Sequence, residues 1–218
     1  MSKWLPIFIE LVKTLPNIAV LYVFTILFSI PLGILGALAY TGKNKITKFI
    51  ISVYTWVFRG TPLMLQLMVV YYGIPLMSFG GYKIVLEPYT AATITFIINY
   101  AAYLVEIMRS GIESIDKGQH EAAKVLGYSY WQKIIYIILP QAIRRVLPTL
   151  GNEAITLIKD TSLVYVLAVT EVMKRTKELA NIYYNVTPYI CAIIIYLVLS
   201  FAVDRLFKGI EKRNKIRI

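Results

Sequence analysis

The feature that most constrains this chain is a set of long stretches without charge. No charged residue falls between Lys13 and Lys43, and other charge-free runs lie between Arg59 and Lys83 and between Glu87 and Glu106. A helix crossing the hydrocarbon layer needs about 20 mainly apolar residues. Asn17–Tyr40, Thr61–Tyr82 and Tyr89–Leu104 therefore read as three spans. Pro62 and Gly60 make the entry to the second irregular, and the apolar Phe49–Phe58 before it allows an earlier helix start. A further span follows at Pro188–Val203. The run Val146–Thr170 is apolar except for Asn152, Glu153, Lys159 and Asp160 and reads as a span too.

The placement of basic residues supports five crossings. The segments 41–48 and 109–146 and the tail from 205 carry 15 Lys and Arg, against 6 in the N-terminal, 79–88 and 170–187 segments. Five spans put the three basic segments on one side, which predicts the N-terminus outside and the C-terminus in the cytoplasm. Four spans would separate the basic tail from the basic 109–146 loop. The expected fold is all-α, a polytopic membrane bundle of five transmembrane helices.

Composition excludes other classes. The chain is 58% hydrophobic and 16% charged, too apolar for a disordered segment. Its net charge of +11 would suggest nucleic acid on a polar domain, but here the cations sit between apolar runs, so no nucleic acid partner is expected. The lone Cys191 allows no intrachain disulfide. The first 16 residues read as an interfacial helix rather than a leader, with Leu5, Phe8, Ile9 and Val12 on one face and Trp4 as its anchor. Gly33, Gly36, Ala37 and Ala39 give the first span a small-residue face.

The 109–145 loop is too long for a mere connector. Gly118 and Gly127 bracket a helix-prone stretch, Gln119–Leu126, and the apolar Lys133–Leu139 is expected to end at Pro140. Such a hinged cytoplasmic helix is suited to docking on another protein. The lone His120 reads as a solvated loop residue, and no metal site is expected.

The loop carries a resemblance. Glu121-Ala122-Ala123, Gly127, Ile137 and Leu139-Pro140 match the EAA motif of membrane subunits of binding-protein-dependent ABC importers. Arg59-Gly60-Thr61-Pro62-Leu63, Glu106–Ile112, Ser114–Gln119, Asn152-Glu153 and Lys159–Leu163 resemble motifs of polar amino acid permeases. The resemblance covers about residues 17–210 and implies a type I ABC importer permease-like bundle in a bacterial cell membrane. It divides the chain into an interfacial helix at 1–16, a transmembrane domain at 17–210 and a basic tail at 211–218. It also implies that Gln119, Glu121, Ala122, Ala123, Leu126 and Gly127 form a coupling helix lodged in a cytoplasmic ABC ATPase. The further partners it implies are a second permease subunit, identical or related, an extracellular amino-acid-binding protein and an amino acid substrate. ATP and Mg belong to the ATPase, since this chain has no P-loop and no cofactor site.

Charge inside a span costs about 2.5–3.5 kcal/mol at the helix centre on insertion scales. Glu153 and Asp160 are seven residues apart, close to two turns on one face. Thr156 lies between them and Thr161 flanks them. Two readings follow. Glu153, Lys159 and Asp160 pair with each other or with Arg59 and hold the bundle together. Alternatively, Glu153 and Asp160 face a midplane cavity and attract a cationic amino acid of the arginine, lysine or histidine class, with Asn99 and Tyr103 as further binding groups. Arg59, beside Thr61, is expected to gate or to pair with an acid. No nucleophile–base pair suggests an enzyme. An ion-coupled carrier and a non-transporting scaffold are the competing functions. The carrier is disfavoured by the absence of an internal repeat.

Overall fold

Four helices in the computed structural model, which describes residues 4–77 and 83–214, are long and apolar enough to cross a membrane. Helix α1 (Trp4–Val12) runs through a short turn into α2 (Leu15–Thr41). Then come α3 (Lys45–Gly60), α4 (Leu63–Met68), α5 (Pro88–Glu113), α6 (Lys117–Val125), α7 (Tyr130–Lys133), α8 (Leu139–Asp160), α9 (Val172–Tyr183) and α10 (Thr187–Asn214). Helices α2, α5, α8 and α10 belong to these four, and α3 is followed by a shorter apolar helix, Leu63–Leu76. No strand occurs among the described residues. The last four residues of the basic tail lie outside them.

The packing of α2 on α5 is the most extensive in the molecule. Its physical basis is the small-residue face expected from sequence. A Cβ built on Gly33 would fall 2.4 Å from Leu104 Cβ, and one on Gly36 would fall 2.4 Å from Val105 Cγ2. Small residues let helix backbones approach where lipid supplies no hydrophobic drive.

The chain breaks between α3 and α4, at Gly60-Thr61-Pro62. Thr61 and Pro62 are extended, with ψ of 144° and 129°. Proline disfavours helix in the residue before it and cannot bond back. The chain restarts as α4, widens into a π turn at Val69–Gly73 and tightens at Ile74–Leu76. Freed backbone groups inside a membrane must find protein partners. Gln66 Nε2 donates to Phe58 O at 2.9 Å, to Thr61 O at 3.1 Å and to Thr61 Oγ1 at 2.8 Å, while Thr61 Oγ1 donates to Val57 O. Asn99 Nδ2 donates to Phe58 O and to Gln66 Oε1, both at 3.0 Å.

One expectation is corrected. Pro140 does not end a helix: it sits in the first turn of α8, and a π turn at Ile134–Ile138 carries α7 into α8 as one rod, Tyr130–Leu167. The missing proline N–H costs little in a first turn, and the wider turn accommodates the ring. In α1 the residues facing the protein are Ile7 and Leu11, packed with α9 and α10. Leu5, Phe8, Ile9, Val12 and Trp4 face outward.

Candidate functional site

Arg59, Thr61, Asn99, Tyr103, Glu153, Thr156 and Asp160 come from three parts of the chain and line one cavity of about 470 Å³. The break before α4 supplies one wall, α5 a second and the C-terminal half of α8 the third. The heptad spacing of Glu153 and Asp160 places both on the cavity side, with Thr156 between them, as the helical period requires. Thr161 lies outside the lining. It is fully buried, and its hydroxyl donates to Ile158 O at 2.6 Å. Asn99 touches the cavity, but its amide N–H groups are engaged by the Phe58 carbonyl and Gln66, so it frames the break.

Among the described residues, no ion pair includes Glu153, Lys159 or Asp160. Arg59 lines the same cavity as Glu153, its Nη1 lies 3.8 Å from Glu106 Oε2, and its guanidinium stands over the Tyr103 ring. Glu106 also binds Arg109 at 2.6 Å, and Arg109 reaches Glu113 at 2.7 Å. Thr55 Oγ1 donates to Glu106 Oε1. This network ties the end of α3 to α5 on the side of the cavity that leads toward α6. The acid within reach of Arg59 is thus on α5.

Two residues escaped the sequence reading. Tyr100 donates its hydroxyl to Asp160 Oδ2 at 2.7 Å and lines the cavity. Nothing distinguished it among 17 tyrosines. Gln66 was findable, because it is the sole amide in the run 61–82. The cavity can present carboxylate acceptors, hydroxyls and an aromatic face to a small polar cation. It offers no nucleophile–base pair, and no cluster able to hold a metal occurs among the described residues.

The 109–145 loop forms a second functional surface. Asp116 caps α6 through Gly118 N at 2.7 Å. The helix ends at Gly127, whose φ is +76°. Tyr128 N bonds Ala123 O and Gly127 N bonds Lys124 O, the paired closure of a Schellman turn. Glycine suits this position because a side chain is strained at positive φ. Ala123 is buried against the bundle, whereas Gln119, Glu121, Ala122 and Leu126 face outward. Val125, at 88% exposed, adds a second apolar knob beside Leu126. Ser129 and Gln132 form a reciprocal capping box that starts α7 at once.

Residues 29–216 match the family described as binding-protein-dependent transport system inner membrane component. The glutamine transport system permease protein GlnP of Escherichia coli (strain K12) is 38% identical over 85% of this chain and 84% of its own. The arginine transport system permease protein ArtQ of Bacillus subtilis (strain 168) is 40% identical over 84% of this chain and 83% of its own. Among solved structures, an amino acid ABC transporter crystallised with histidines superposes with a TM-score of 0.83, at 33% identity over 97% of this chain and 95% of that one. The methionine ABC transporter MetNI, at 19% identity and a TM-score of 0.78 over 99% of this chain and 100% of that one, shares the fold.

Proposed function

Starting from a chain that belongs to the binding-protein-dependent transport system inner membrane component family, and is the permease subunit of an amino acid ABC importer, we propose that it carries cationic amino acids through the α4–α5–α8 cavity by alternating access. The observation that carries this reading is the convergence of Glu153 and Asp160 on one cavity, neither in an ion pair, while Arg59 is held toward Glu106. Two carboxylates facing one guanidinium leave the cavity with net negative character, which favours a ligand bearing an ammonium or guanidinium in addition to its α-amino group. Tyr103 and Thr156 complete the polar lining, and Asn99 holds the wall in place.

In this reading α6 docks on a separate cytoplasmic ABC ATPase, which binds ATP and Mg and supplies the energy. Leu126 and Val125 enter its groove, Gln119, Glu121 and Ala122 line the contact, and the Gly127 turn hands the push to α7 and α8. The 38-residue rod Tyr130–Leu167 connects that contact to Glu153 and Asp160 without an intervening loop. A second permease subunit and an extracellular amino-acid-binding protein complete the importer. The excess of Lys and Arg at the α6 end supports an external N-terminus and a cytoplasmic C-terminus.

The test is uptake by the reconstituted importer carrying Glu153→Gln with Asp160→Asn. Cationic amino acid transport should fall at least about tenfold, the effect of losing one charge-assisted bond of about 1.5–3 kcal/mol. Wild-type affinity and rate in this variant would make the carboxylates structural and end the cationic reading.

A further inference from the structure

A cleft at the α6 end of the bundle plays no part in the transport site. It has a volume of about 790 Å³ and lies between the C-terminal turn of α2, the start of α3 and α7. Its rim carries Lys43, Lys133 and His120, and no carboxylate lines it. Leu35, Leu38, Ile112 and Ile134 supply apolar lining, beside the polar Thr41, Asn44 and Thr47. Trp131 stands beside the cations and is 60% exposed. Burial and the nearby Lys133 ammonium hold His120 below the usual imidazole range.

Two lysines, several apolar side chains and an exposed indole lining one cleft match one ligand chemistry. A phosphodiester headgroup satisfies Lys43 and Lys133, its acyl chain continues along Leu35, and the indole sits at the headgroup depth that tryptophan prefers. A soluble anion would leave the apolar lining uncovered. A zwitterionic lipid would set its own cation against the two lysines. We propose that this cleft binds one anionic glycerophospholipid, which bridges the α2–α3 turn to the α7 end of the coupling loop. The bridge places lipid composition in contact with the segment that receives the ATPase. Only the assignment to the cytoplasmic leaflet rests on the proposed orientation, and binding itself is independent of the substrate assignment.

The experiment is native mass spectrometry of the detergent-purified full chain with phosphatidylglycerol, phosphatidylcholine or glycerol 3-phosphate added. One phosphatidylglycerol adduct per chain should persist, with phosphatidylcholine held about tenfold more weakly or worse. Lys43→Gln with Lys133→Gln should lose the adduct by about tenfold or more. Lys45→Gln with Lys48→Gln removes equal charge outside the cleft and should bind as the wild type does. Lys133 also stands over the Tyr130 ring, so Lys133→Arg is run alongside and should retain the adduct. Equal retention of phosphatidylcholine, equal loss in the two double variants, or loss in Lys133→Arg would each overturn the site. Displacement by glycerol 3-phosphate at the concentration of the lipid would reduce it to a soluble-anion site and likewise end the proposal.

Discussion

The cavity and the coupling loop are built on opposite principles. The loop is local: the cap at Asp116, the turn at Gly127 and the box at Ser129 all close within five residues of chain. The cavity is nonlocal: Asp160 is met by Tyr100, and the Phe58 carbonyl by Asn99. A local device holds its shape through its own backbone and needs a partner only to act. A nonlocal one holds its shape only while several helices stay in register. The loop should therefore fail by losing its partner, and the cavity by losing the bundle's alignment.

The largest expected effect tests the loop. Gly127→Pro removes an N–H that bonds Lys124 O and replaces φ +76° with a ring fixed near −65°. A penalty of about 3 kcal/mol is about 100-fold in the population of the docking-competent turn. Co-purification of the ATPase and transport should collapse together, while substrate binding to the isolated chain, followed by calorimetry, stays unchanged. Loss of substrate binding would break the distinction, because it would make the loop part of the cavity's frame.

Next comes the frame of the cavity. Asn99→Ala removes one of the two donors to the Phe58 carbonyl and strips Gln66 Oε1 of its partner. A buried polar group left unsatisfied costs about 1–3 kcal/mol. The melting temperature of the purified chain should fall and substrate affinity with it, but ATPase co-purification should persist. Tyr100→Phe is gentler. It deletes only the hydroxyl that Asp160 accepts, worth about 1.5–3 kcal/mol as a bond to a charged group when no water replaces it. Since the cavity is open to water, substrate affinity should change by about tenfold or less, with melting unchanged.

The same contrast explains what the sequence disclosed. Glu121-Ala122-Ala123 on α6, the turn at Gly127 and the acid stripe of α8 each lie on one helix or one turn, where a 3.6-residue period or a fixed turn makes position equivalent to geometry. The partner of Arg59 did not, because Glu106 and Glu153 are both acids within reach of a break whose direction no periodicity encodes. Thr161 was assigned to the stripe by adjacency, yet it begins the 3₁₀ segment Thr161–Leu167, where the helical face no longer continues. Pro140 looked like a stop, because a π turn leaves no mark in the apolar pattern.

Two carboxylate caps carry the comparison to the opposite end of the bundle. Asp116 caps α6 in the open, whereas Glu171 caps α9 while 1% exposed. Glu171 accepts from Met173 N and Lys174 N at 2.7 Å and from the Tyr196 hydroxyl at 3.1 Å. The nearby cations are turned away: Lys174 Nζ bonds Ala168 O, and Arg175 pairs with Glu10 and Glu178. Burial pushes Glu171 up to about 7, against the pull of its three donors. The folded chain then keeps a proton that the unfolded chain releases near 4.5, so stability is greatest below that value and declines as pH rises to about 7. The wild-type chain should accordingly melt lower at pH 8 than at pH 5, and Glu171→Gln, which cannot ionise, should flatten that slope. An equal slope in both proteins would mean that the three donors outweigh burial and keep the carboxylate ionised, so that the buried cap titrates like an exposed one.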